Sequence, residues 1–134
     1  RNKMERQKRL NDILNEKAGG NYFGFCLDVG HATLVRANLK NYIIKLGKRL
    51  TNLHTHDNNG GEDQHLLPFS CLTNTMNYIT DWNGFIEGLK AVDYQGCMTF
   101  ESFRPLAVSP KEVHTEILKL TSAIGRYFND QLDK

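Results

Sequence analysis

Three short apolar runs, YFGFCLD at residues 22–28, LTNLHTHD at 50–57 and GCMTFES at 96–102, constrain this chain most, because longer segments of helical spacing separate them. Residues 37–49 carry Leu39, Tyr42, Ile43 and Leu46 at i, i+3, i+4 and i+7, and from Asp81 onward Trp82, Phe85, Ile86 and Leu89 share one face. Residues 3–18 set Met4, Leu10, Ile13 and Leu14 among good helix formers before Gly19-Gly20 stops the pattern. Ser109-Pro110-Lys111-Glu112 has the form of a capping box, which predicts a last helix buried through Val113, Ile117, Leu120 and Ile124. The expected order is α-β-α-β-loop-α-β-α. Strands that alternate with helices in this way predict an α/β chain with right-handed crossovers and a parallel sheet.

In such sheets loops and helix N-termini converge at the carboxyl ends of the strands, and ligands bind there. The three runs deliver Asp28, His54 and Glu101 to that edge. Imidazole and carboxylate together suit a catalytic divalent metal with an open position, Zn²⁺, Mn²⁺ or Fe²⁺. Around this trio two readings stand side by side at several positions. Asp28 and His31 either reach one site together or merely start a turn and cap the following helix. His56 and Asp57 are expected to bond the turn or to orient His54. The carboxylate of Glu101, after an apolar strand, calls for a metal or for a basic partner such as Arg104. Asp63 and His65 follow Gly60-Gly61, whose tolerance of positive φ can fold the loop back over the strand ends; a solvated loop is the alternative. His114 receives no chemistry, and Phe23, Phe25, Trp82, Phe85 and Phe100 are expected in the core or a cavity wall.

At 134 residues with 40% apolar content the chain fits one domain, 1–134, and its net charge of +2 gives a nucleic-acid backbone or membrane surface little to bind. Cys26, Cys71 and Cys97 are an odd number at wide spacings, which predicts thiols and a cytoplasmic setting rather than a disulfide framework. The chain has neither an 18-residue apolar run nor a signal peptide, and it opens without methionine, which raises the expectation of a fragment. Glycine-rich dinucleotide motifs, a phosphate-binding G-K-S/T loop, a G-x-S-x-G elbow and a Cys-His nucleophile pair are all missing.

The motifs FCLDVGHA, LGKRLTNLHTHDNNGGEDQHLLPF and TDWNGFIEGLKAVDYQGCMTFES, in this order, resemble the carboxyl-terminal half of the xylose isomerase-like TIM barrels, the superfamily of sugar phosphate isomerases/epimerases that also contains endonuclease IV. The likeness covers residues 22–102. It implies that the three strands are the sixth to eighth of a (β/α)₈ barrel, with Asp28, His54 and Glu101 as ligands of a divalent ion, Mn²⁺ or Zn²⁺. It further implies substrate contacts from His31, Asp63 and His65, and catalysis by Glu101 and His31 in an enediolate-type proton transfer on a small sugar or sugar phosphate. The family's other glutamate, at the end of the fifth strand, would lie before Arg1, and FSCLTNTMNYI after Pro68 replaces the family's P-G-x-G segment. The alternatives are a zinc phosphodiesterase of the endonuclease IV type, in which His31, Asp63 and His65 also hold metal, and a catalytically incomplete fragment. Because three strands cannot close a barrel, the missing half or another chain is expected to cover the sheet.

Overall fold

A computed structural model of the protein describes residues 2–71 and 79–134. Its elements are α1 (Lys3–Ala18), β1 (Phe25–Asp28), α2 (Val29–Leu34), α3 (Leu39–Leu46), β2 (Leu50–Thr55), α4 (Trp82–Ala91), β3 (Cys97–Phe100), α5 (Arg104–Val108) and α6 (His114–Asp133), with 3₁₀ turns at Gly47–Arg49 and Lys111–Val113. The strands form one parallel sheet in the order β1-β2-β3. This is the α/β architecture predicted for part of a TIM barrel. The replaced FSCLTNTMNYI segment lies largely outside the described residues.

One face of the sheet is apolar. Leu27 and Leu53 point into a core with Leu39, Ile43 and Leu46 of α3, Trp82, Phe85 and Leu89 of α4, and Phe128 of α6. Ile43, Leu53, Phe85 and Phe128 are fully buried, as expected when a helix lays an i, i+3, i+4 stripe on a sheet. The helix starts are fixed by short polar side chains: Asn38 accepts the N–H of Asn41, and Asp81 that of Gly84.

Several expectations are corrected. The first strand begins at Phe25, not Tyr22, because the main chain at Phe23 pairs with a helix side chain instead of a strand. Asn15 of α1 accepts its N–H at 2.8 Å and donates to its carbonyl at 2.9 Å. Tyr22 and Phe23 are consequently exposed, so Phe23 is no core residue. The capping box does not form: neither the 3₁₀ turn at Lys111–Val113 nor α6 has a side-chain cap bond, and Val113 and Leu120 are exposed. Of the expected stripe Ile124 does pack on the core, joined by Phe128 and Leu132 one and two turns further along α6. Leu10, Ile13 and Leu14 of α1 are also exposed, and polar contacts hold this helix, the Asn15 clamp and a two-pronged pairing of Arg49 with Asp12 at 2.7 Å. The short helices α2 and α5 were not anticipated.

The fully buried Phe85 closes the core between sheet and helices. Phe85→Ala should lower stability by about 3–5 kcal/mol, read from urea-induced unfolding.

Candidate active site at the strand ends

Register arranges the opposite, polar face in rows. Asp28 stands beside His54 and His54 beside Thr99, while Cys26, Asn52 and Cys97 form the row beneath. Glu101 follows one residue beyond β3, where its N–H donates to the Thr55 carbonyl at 3.1 Å. His54 Nδ1 lies 3.2 Å from Glu101 Oε1 and 4.0 Å from Asp28 Oδ2. The donor atoms of the three residues all fall within 4.8 Å of one another. The 3.2 Å and 4.0 Å separations lie in the roughly 3–4.4 Å range of two donors that each sit about 2.0–2.2 Å from one Zn²⁺ ion, which makes the trio a candidate cation site. Arg104 is not the partner of Glu101; among the described residues that partner is His54, and Arg104 instead donates its backbone N–H to the His65 carbonyl.

Asp28 serves two purposes at once. Its Oδ1 caps α2 by accepting the His31 N–H at 2.8 Å and also meets His56 Nε2 at 3.0 Å. Its Oδ2 is left facing His31 Nδ1 at 3.1 Å and His54. Burial pushes this carboxyl's pKa up, but the His56 hydrogen bond, the His31 N–H and the neighbouring imidazoles outweigh it and leave the pKa lowered.

The loop after β2 returns over the strand ends, as the two glycines predict. Asp57 and Leu66 exchange both backbone hydrogen bonds as an isolated antiparallel bridge, and Gly60 turns the chain at φ +77°. The return places Asp63 Oδ2 3.1 Å from His31 Nε2 and Asp63 Oδ1 3.3 Å from His65 Nε2. His65, itself in left-handed backbone at φ +50°, is held there by Nδ1 bonding to the Glu101 carbonyl at 2.9 Å. His56, His65 and Glu101 form a second group whose donor atoms approach within 4.8 Å. The Asp63 hydrogen bond raises the pKa of His31, against the cost of burial and with help from the Asp28, Asp63 and Glu101 charges. The structure thus brings together all six candidate residues, Asp28, His31, His54, Asp63, His65 and Glu101.

Two roles are sharper than sequence reasoning made them. Buried Asp57 accepts hydrogen bonds from the Asn58 and Phe69 backbones, Thr80 Oγ1 and Trp82 Nε1, at 2.7–3.3 Å, and so ties the loop to the start of α4. His56 contacts Asp28 rather than His54. The alternation of the H-x-H run carried part of that signal; Phe103, which stacks on His65, carried none. Among the described residues His114 meets the Ser109 carbonyl at 3.1 Å.

The chain belongs to the xylose isomerase-like TIM barrel family, whose sequence profile matches residues 2–123. Among curated proteins the chain is 30% identical over 98 residues to the uncharacterized protein y4fM of Sinorhizobium fredii, covering 73% of this chain and 29% of that one. It is 31% identical over 103 residues to the uncharacterized protein MJ1311 of Methanocaldococcus jannaschii, covering 74% and 32%. A solved structure described as a D-tagatose 3-epimerase-like protein is 28% identical with a TM-score of 0.48, covering 75% of this chain and 36% of that one. The chain therefore spans about a third of the length of these relatives. Among the described residues no helix is long and apolar enough to cross a membrane.

Asp57→Ala leaves four donors without their acceptor and should cost on the order of 3 kcal/mol in chemical denaturation. Since the fold raises the His31 pKa, its pairing with Asp63 stabilises fully below the unfolded imidazole value and fades as pH climbs through the folded one. Imidazole NMR titration of metal-free protein should show His31 titrating above ordinary histidine, and Asp63→Asn should bring it back down.

Proposed function

We propose that the complete protein is a metal-dependent isomerase or epimerase of a small sugar or sugar phosphate. The observation that carries this reading is the convergence of Asp28, His54 and Glu101 donors within 4.8 Å at the carboxyl edge of a xylose isomerase-like sheet. Asp28 Oδ2, His54 Nδ1 and Glu101 Oε1 would hold the ion, Mn²⁺ or Zn²⁺. When bound, it would supply Lewis-acid polarisation of a carbonyl and its adjacent hydroxyl. The chain's own groups do the rest. Glu101, half-buried on the polar face, would take or return a carbon-bound proton as general acid-base, opposite the second carboxylate that the family resemblance implies. His31, more than half exposed and proton-rich through Asp63, offers a donor to a substrate oxygen. Asp63 and His65 line the approach, and the remaining barrel strands would cover the open sheet and exclude water.

A zinc phosphodiesterase is the second reading, favoured by the continuity of His31, Asp63 and His65 with the second donor group His56, His65 and Glu101. Its weakness is the net charge of +2, small for a DNA-backbone binder.

Glu101→Gln in the full-length protein should reduce isomerase turnover by about 10²–10⁴-fold in a ketose–aldose or C-3 epimer assay with Mn²⁺, and retention of full turnover would overturn the assignment. Elemental analysis adds an independent check: one ion per barrel supports the isomerase, whereas two or three zinc ions support the phosphodiesterase.

A further inference from the structure

We infer that His56 is a positioning residue that fixes the Asp28 carboxylate so that only Oδ2 is presented to a cation. This rests on the metal-binding reading above and adds to it a residue outside the ligand trio. The imidazole of His56 is fully buried. Oδ1 already accepts the His31 N–H, so Nε2 carries the hydrogen of its 3.0 Å contact to this oxygen. The other nitrogen, Nδ1, is buried without a hydrogen-bond partner among the described residues. A buried nitrogen without a partner is unfavourable, and a leucine of similar size would avoid it. What leucine cannot supply is the Nε2–H on Asp28.

The surroundings allow the ring no other place. On one side Gly30 lies so close that a Cβ there would collide with the Cε1, Nδ1 and Nε2 edge of the imidazole. On the other side His65 stacks on it with ring centroids 4.0 Å apart at 12°, and Phe103 stacks on His65 at 4.4 Å and 27°. The column His56–His65–Phe103 thus presses an N–H donor against Oδ1, which the His31 backbone N–H already engages. Oδ1 is thereby committed to two protein donors. Oδ2 is left outside this pair of bonds, facing His31 Nδ1 at 3.1 Å and His54 Nδ1 at 4.0 Å, and the carboxylate would bind with this one oxygen. The same column reaches the second carboxylate ligand, because His65 Nδ1 holds the Glu101 carbonyl.

The test is Mn²⁺ binding to the full-length protein, followed by titration calorimetry and by the electron paramagnetic resonance signal of free Mn²⁺. His56→Leu should weaken Mn²⁺ binding about 10–100-fold, and His56→Gln, which restores an N–H donor near the Nε2 position, should recover most of the loss. A purely packing role would instead make the leucine variant bind as tightly as wild type, and that result overturns the inference. Equal loss in the leucine and glutamine variants overturns it too. Should His56→Leu fail to fold by circular dichroism, His56→Met replaces it as the donor-less variant. Asp28→Asn and His54→Ala serve as controls and should abolish tight Mn²⁺ binding. If they do not, the metal-binding reading falls and takes the inference with it; if they do while His56→Leu binds normally, only the inference falls.

Discussion

Register in the three-stranded sheet is the constraint on which everything else rests. A slip of one residue would send Asp28 and His54 to the helix-covered face and bring Leu27 and Leu53 out. Burial of those two leucines against α3, α4 and α6 therefore does more than stabilise the sheet. It decides which face the carboxylate and the imidazole occupy, so the core and the site enforce each other.

Once the strands are aligned, the polar groups close a circuit in which acids alternate with imidazoles. Asp28 contacts His31, His31 contacts Asp63, and Asp63 contacts His65. His65 then holds the backbone of Glu101, whose side chain meets His54, and His54 faces Asp28 again. The carboxylates of Asp28 and Asp63 thus share His31 between them, and those of Asp28 and Glu101 share His54.

The strand-end residues were legible in the sequence because two regularities coincide there, side-chain alternation and the parallel arrangement implied by intervening helices. The helices with strong apolar stripes, α3 and α4, were readable for the same reason. At the margins the reading erred where tertiary contacts overrule local pattern. Residues 22–24 look like strand, yet Asn15 takes the Phe23 backbone for itself. Ser109 looks like a helix cap, but α6 begins five residues later, at His114, without one. The role of Asp57 as a fourfold acceptor depends on partners as distant as Thr80 and Trp82, which no local spacing discloses. His56 was placed on the correct side of β2 by alternation, but its partner Asp28 is 28 residues away.

The row Cys26, Asn52 and Cys97 lies below the site on the polar face of the three strands. In a closed barrel of this family that row belongs to the lumen, a space more often filled by bulky branched aliphatics. Here the lumen wall is small, polar and thiol-bearing: Asn52 Nδ2 lies 3.7 Å from Cys26 Sγ, and its Oδ1 accepts from Thr99 at 3.2 Å. Little water-averse surface would be removed from water by covering these three positions. Within these three strands the apolar grip lies on the helix-covered face, where Leu27 and Leu53 meet α3, α4 and α6, and the opposite face is left to polar groups.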